Sequence, residues 1–331
     1  MPVYFKEVNG LTKKSEYLFA TKFVYAFPVP NPISPLGPDY KFEPCFLPVK
    51  CKKYLDQIEN FTVLKDDVWG VSFAKTGSTW TQEMIWLMNN DLDYATAKEK
   101  QLFARFPFFE DDIYEDNPSR NTLEMMNRLP SPRHLKTHLP AGLLPKEIWT
   151  VKPKIIYTAR GVKDTAISYY HHFVYFKEYK GTMQDFLETF LENKILLSPY
   201  HGHFKDFWSL RHEENILFLT YEEMKSDLMA VLKKTSKFLG KSYSHEELLK
   251  LSEHLSFDTM KTNPSVNFTM TYKKPGNENC DANGYDCKNK FSFIRKGIIG
   301  SHKEEMTPEL IEKFDNWTRE YNLKNGTSIE P

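Results

Sequence analysis

Beyond residue 67 the chain alternates short apolar runs with longer amphipathic stretches. Val68-Trp69-Gly70-Val71-Ser72-Phe73 is mostly apolar and reads as a buried strand. It enters Ala74-Lys75-Thr76-Gly77-Ser78, followed by a stretch in which Trp80, Met84, Leu87 and Met88 share one helical face. Lys154–Thr158 and Asn215–Leu219 are two further strands with bulky apolar centres. Helical patterns follow both, from Lys163 to about Tyr175 and from Tyr221 to about Leu239. Thr220-x-x-Glu223 and Ser244-x-x-Glu247 have the spacing of capping boxes, and Thr307-Pro308 reads as an N-cap with proline at the first helical position. Strands alternating with helices predict an α/β fold, a single domain whose central parallel sheet is flanked by helices.

The first ~60 residues break this rhythm. Pro28, Pro30, Pro32, Pro35 and Pro38 exclude regular helix there, so residues 1–60 are expected to form an extended arm packed on a domain of residues 61–325, with a tail at 326–331. Residues 273–290 hold Pro275, Gly276, Gly284 and several Asn and Asp with almost nothing apolar, the pattern of an exposed loop.

Charge and composition narrow the function. The 331 residues carry 44 Lys+Arg against 44 Asp+Glu, so no bulk field draws the protein to nucleic acid or an anionic membrane. Any anion must be held by a local cation cluster. No apolar run nears the roughly 18–20 residues that cross a bilayer, and the N-terminus lacks an apolar stretch after a basic start. Cys45, Cys51, Cys280 and Cys287 fit neither zinc nor redox spacing. Free thiols and a cytoplasmic location are the expectation.

Four pieces carry chemistry. Lys75-Thr76-Gly77-Ser78-Thr79-Trp80, between strand and helix, combines helix N-terminal amides, a glycine, hydroxyls and a lysine, the parts of an anion cradle. It lacks the Walker A order, because its lysine precedes the glycine. Lys136-Thr137-His138-Leu139-Pro140 sets a histidine beside a lysine, a general base with a supporting cation, although a lone histidine is more often structural. Arg160 and Ser168 offer a guanidinium and a hydroxyl to a phosphate, and Arg295-Lys296-Gly297 adds two cations beside an amide that an anion can approach closely. Singly, each of these last two reads as well as solvated surface.

In this order the four pieces resemble the cytosolic sulfotransferase family, and within it an insect-like branch. The resemblance covers nearly the whole chain after the arm. It implies a P-loop-NTPase-like sulfotransferase fold and transfer of a sulfuryl group from 3′-phosphoadenylyl sulfate (PAPS) to a hydroxyl, releasing adenosine 3′,5′-bisphosphate (PAP), with no metal required. By that resemblance Lys75 touches the bridging oxygen between sulfate and phosphate, while Thr76, Gly77, Ser78 and Thr79 bind the 5′-phosphate. Trp80 stacks on the adenine, joined by Tyr221, Ser256, Phe257 and Met260. Arg160, Ser168, Arg295, Lys296 and Gly297 take the 3′-phosphate. His138 is the catalytic base with Lys136 supporting it, and Phe108, Lys136, Thr137, His138 and His172 line the acceptor site. Lys75, Arg160, Arg295 and Lys296 are expected to offset the nucleotide's charge.

The chain also departs from that pattern. Leu255 stands where Thr is usual, and Ser301-His302-Lys303 where Asp-Trp-Lys is common. The dimer signature appears as Lys303, Thr307, Pro308 and Glu312, with proline replacing valine, which leaves monomer or homodimer open. His172 and Asp111 in the acceptor stretch argue against a simple phenol preference. The expected acceptor is a small, largely apolar phenol, steroid or alcohol, with a role in xenobiotic or hormone metabolism. The alternatives are a retinol-dehydratase-like dehydration through a transient sulfate ester, a P-loop-type kinase, and a nucleotide-binding protein without catalysis.

Overall fold

The computed structural model describes residues 3–8, 22–114, 121–176, 179–268 and 292–329. The expected loop at 273–290, with Cys280 and Cys287, lies outside them, as does the end of the tail. The amino-terminal region is more than an extended arm. Strands β1 (Tyr4–Glu7), β2 (Phe23–Phe27) and β3 (Cys45–Pro48) form an antiparallel sheet, and helix α1 (Cys51–Glu59) follows. Pro28, Pro30, Pro32, Pro35 and Pro38 all lie in the connection between β2 and β3, where the absence of amide donors costs nothing, while Pro48 ends β3. Phe46 is fully buried, stacked on Phe23 with ring centroids 4.7 Å apart. Its backbone exchanges hydrogen bonds with Leu197 and Ser198, both 2.8 Å, which ties β3 to the rest of the molecule.

The central sheet is parallel throughout, in the order β5-β4-β6-β7: β4 (Val68–Val71), β5 (His134–Thr137), β6 (Lys154–Ala159) and β7 (Ile216–Thr220). Side chains alternate across it. Trp69, Leu135, Ile155, Tyr157 and Phe218 enter one core with α1 and β3, while Val68, Ile156, Leu217 and Leu219 enter a second with Met84, Leu87 and Met88 of α2 (Ser78–Asn89). Covering helices include α3 (Val162–Phe176), α4 (Tyr200–Ser209), α5 (Tyr221–Ser226), α6 (Leu228–Leu239), α7 (His245–His254), α8 (His302–Glu305) and α9 (Pro308–Asn325).

Both capping boxes form, at the starts of α5 and α7, and Thr307 caps α9 with proline in its first turn. The pattern expected as one helix from Tyr221 to Leu239 is broken at Asp227, whose extended backbone ends α5 and whose carboxylate accepts from Ala230 N at 2.9 Å to start α6. The cap supplies a hydrogen bond that an uninterrupted helix would not need.

If the amino-terminal sheet belongs to the same cooperative unit, Phe46→Ala should lower unfolding stability by about 3–5 kcal/mol. Chemical denaturation followed by tryptophan fluorescence should show one transition, shifted as a whole; an unmoved main transition would mean that the segment folds separately.

Candidate active site

The ends of the four parallel strands deliver the chemistry to one edge of the sheet, with β4 flanked on both sides by strands from later in the chain. After β4 the chain turns sharply into α2. Lys75 (φ 71°) and Gly77 (φ 101°) both occupy the left-handed region, and a Cβ on Gly77 would stand 2.9 Å from the Tyr221 ring. Ser78, Thr79 and Trp80 open α2, where the first amides lack partners within the helix. The Thr76 hydroxyl is buried and directed at the Phe73 and Thr158 carbonyls, each at 2.9 Å, so it fastens the turn to β6. Thr76 therefore offers an anion its backbone alone.

The end of β5 carries Lys136, Thr137 and His138. Residues 107–109 pair briefly alongside it, through Lys136 N to Pro107 O (2.9 Å) and Phe109 N to Lys136 O (2.7 Å). This sets the Phe108 ring 5.2 Å from the His138 ring and 4.3 Å from the Lys136 ammonium. His138 is held at three points. Its N–H donates to Glu110 Oε1 at 2.6 Å, its carbonyl accepts from His203 Nε2 at 3.1 Å, and its Nδ1 lies 2.7 Å from the Ser72 carbonyl. A carbonyl only accepts, so Nδ1 carries the proton and Nε2 keeps its lone pair. His203 is locked likewise, its Nδ1 accepting from Tyr157 Oη at 3.0 Å. Burial, then the Lys136 charge, pushes His138 well below the usual histidine range. The buried Thr137 hydroxyl accepts from Leu139 N at 3.0 Å and shapes the turn.

Burial and the neighbouring Lys136, Arg160 and Arg295 lower Lys75 to about 7, and burial lowers Lys136 to about 8. Glu110, its Oε2 buried without a hydrogen bond, is raised by burial to about 7.

Beyond β6, the Arg160 guanidinium lies 4.4 Å over the Tyr221 ring, which meets Trp80 edge-on at 5.6 Å. Its NH2 donates to Ile298 O at 3.1 Å and lies 3.7 Å from Asp164 Oδ2. Asp164 accepts from Gly300 N, the Ser301 hydroxyl and both N and Nδ1 of His302, which fixes the segment before α8. Arg295 and Lys296 bond Glu305 Oε1 at 2.6 and 3.0 Å, and Lys296 also bonds Glu304 at 2.7 Å. Arg160, Arg295 and Lys296, expected to offset the nucleotide's charge, each already face a carboxylate in this structure. Gly297 (φ 63°) lies against Phe257, whose ring a Cβ there would meet at 2.2 Å. Ser256 caps the helix Phe257–Thr262, while Met260 is buried with Leu255 in the second core. Ser168 is half-buried on α3, and His172 packs on Phe176 at 4.7 Å.

The sequence model of the sulfotransferase domain matches residues 65–326. The chain belongs to the sulfotransferase family. Luciferin sulfotransferase of Photinus pyralis is 36% identical over 300 residues, covering 84% of this chain and 78% of that protein. Sulfotransferase 1 family member D1 of Mus musculus is 37% identical, covering 80% and 85%. The crystal structure of retinol dehydratase with retinol and PAP superposes with a TM-score of 0.82 at 27% identity, covering 100% and 99%.

Motif reading of this sulfotransferase missed Ser72, Glu110, Asp164, His203 and Glu305. Only Asp164 left a signal, standing one helical turn after Arg160. Burial raises its carboxyl, but the His302 bonds and Arg160 outweigh that and hold it far below the usual range. A depressed folded value gives stability that is complete above the unfolded value near pH 4 and lost as pH falls toward the folded one. Asp164→Asn should therefore cost about 2–3 kcal/mol at pH 7 and lose less than the parent on acidification. Urea titrations at pH 7 and pH 3 check both; equal acid sensitivity would argue against this role.

Proposed function

We propose that this sulfotransferase moves a sulfuryl group from PAPS to the hydroxyl of a small, largely apolar acceptor, with His138 as general base. The observation that carries the reading is the His138 tautomer. Nδ1 is committed to the Ser72 carbonyl, and no partner for Nε2 is found among the described residues. The site keeps this imidazole neutral through the physiological range, ready to take the acceptor's proton as its oxygen attacks. When bound, the nucleotide supplies the sulfuryl group and a phosphate leaving group.

The chain's residues fit that ligand. Lys75 and Lys136 are coupled in charge, and their protonated forms would offset negative charge developing at the reaction centre. The amides of Gly77, Ser78 and Thr79 suit the 5′-phosphate, and Trp80, Tyr221 and Phe257 offer rings to the base. Ser256 contributes the cap of its own helix, and Met260 supports Phe257 from the core. Arg160, Ser168, Arg295, Lys296 and Gly297 suit the 3′-phosphate. PAP in the retinol dehydratase structure supports this assignment. Phe108 and Tyr114, stacked at 5.6 Å, give an apolar wall beside His138, and His172, packed on Phe176, is assigned to the acceptor site by the family resemblance. The complexes of retinol dehydratase with retinol and with androsterone agree with an apolar acceptor. The reading needs no metal.

Transfer of radiolabelled sulfate from PAPS to phenols, steroids and aliphatic alcohols, run in EDTA, tests this directly. His138→Ala should lower kcat by about 10²–10⁴ with PAP affinity retained; equal turnover would refute the base assignment. The pH profile gives a second test. The base form of His138 persists well below the ordinary histidine range, whereas Lys75, at about 7, sheds its proton as pH rises. Hence kcat/KM should rise by up to about twofold from pH 7 to pH 6, as Lys75 becomes fully protonated, and fall as pH climbs above 7. An acid limb centred near the ordinary histidine value would overturn the neutral-base reading.

A further inference from the structure

The far end of the crevice holds an arrangement that the proposed chemistry does not use. Helix α8 turns Glu305 back onto the Arg295-Lys296 pair, and both oxygens of its carboxylate already have partners. Oε1 receives Arg295 at 2.6 Å and Lys296 at 3.0 Å, while Oε2 receives His171 Nε2 at 2.5 Å. The side chain is 15% exposed. Burial alone would raise its carboxyl, but His171, Lys296 and Arg295 bring it down to about 2, so it is ionised under working conditions. Glu304 adds a second carboxylate on Lys296.

The backbone that carries Glu305 is anchored on both sides. Asp164 pins Gly300, Ser301 and His302 on one side of the one-turn α8. On the other, Met306 is buried and bonds back to His302 O at 2.8 Å, and Thr307 starts α9. Whatever anion approaches Arg295 and Lys296 therefore meets a fixed carboxylate that already holds their donors.

Resting on the nucleotide reading above, we infer that Glu305 sets the affinity of this end of the site as a tethered competitor for the 3′-phosphate. The carboxylate and the phosphate share Arg295 and Lys296. The repulsion between them weakens the hold on a nucleotide that carries a 3′-phosphate and quickens its release. A purely supporting Glu305, one that aims Arg295 at the ligand, has the opposite consequence, because its loss weakens binding. The sign of one measurement therefore separates the two.

The test is calorimetric titration of the full chain with PAP and, separately, with adenosine 5′-monophosphate, which lacks the 3′-phosphate. Glu305→Gln keeps the shape and one acceptor oxygen for Arg295 and Lys296, while replacing the other oxygen with an NH2 group and removing the charge. It should bind PAP about tenfold more tightly, equivalent to about 1.4 kcal/mol, with the gain in a slower dissociation rate. Its affinity for adenosine 5′-monophosphate should stay within about twofold. Glu304→Gln, at a position 61% exposed, should tighten PAP binding by less than about threefold, as a screened rim charge does. Glu305→Gln also loses ion pairs and melts earlier when free, so the PAP-induced rise in melting temperature is read beside the titration and should exceed that of the parent. Weaker or unchanged PAP binding by Glu305→Gln overturns the proposal, as does equal tightening toward both nucleotides. Failure of the parent chain to bind PAP at all overturns the nucleotide reading itself.

Discussion

Several like charges must share one crevice, and the arrangement around them follows from that constraint. The ammonium of Lys75 feels Lys136, Arg160 and Arg295, and no bulk excess of acid elsewhere relieves them, because the chain is neutral overall. Two kinds of cation solve the problem in two ways. A lysine can release its proton: burial and the neighbouring cations draw Lys75 down to about 7, and burial draws Lys136 down to about 8. An arginine cannot, so Arg160 and Arg295 are matched by Asp164 and Glu305. The division follows the fold: lysines follow the central strand and its edge neighbour, while the arginines lie toward α3 and α8.

The parallel sheet makes such crowding possible. Chains leaving β4, β5 and β6 emerge at the same edge, so residues far apart in sequence are neighbours there. The same geometry holds His138 by contacts from three directions. Ser72 comes from the end of β4, Glu110 from the segment beside β5, and His203 from α4, which is braced on Tyr157 of β6. Each contact uses a backbone group or fixes a tautomer, so the imidazole's position and its proton-accepting nitrogen are settled by the fold before any ligand arrives.

The strands of the central sheet were legible because apolar runs such as Ile155–Tyr157 must alternate between two cores, and the caps because Thr220, Ser244 and Thr307 satisfy amides only a few residues away. The crevice was legible only as four motifs in one order, since a lone histidine is more often structural and the two cation pieces taken singly read as well as solvated surface. Its internal bookkeeping was not. Nothing local distinguishes Thr76, whose hydroxyl closes onto β6, from Ser78 and Thr79, which open the helix. Glu305 is one of many glutamates until α8 folds it onto Arg295. The amino-terminal sheet escaped notice for a related reason: prolines dominate the composition there, yet most fall between β2 and β3, and the one in a strand, Pro48, sits at the end of β3.

This division of charge also gives the two ends of the crevice different responses to an anion. Near Lys75 an approaching negative charge favours the ammonium form, so binding there is coupled to proton uptake and to the desolvation that lowered the lysine in the first place. Near Arg295 no proton is available to move; the incoming charge must instead redistribute hydrogen bonds already given to Glu305 and Glu304. The lysine end thus strengthens its charge as the ligand arrives, whereas the arginine end keeps its charge and divides its donors. The two ends of the crevice carry their cations in different states, buried lysines lowered toward neutrality at one and an arginine and a lysine tied to carboxylates at the other.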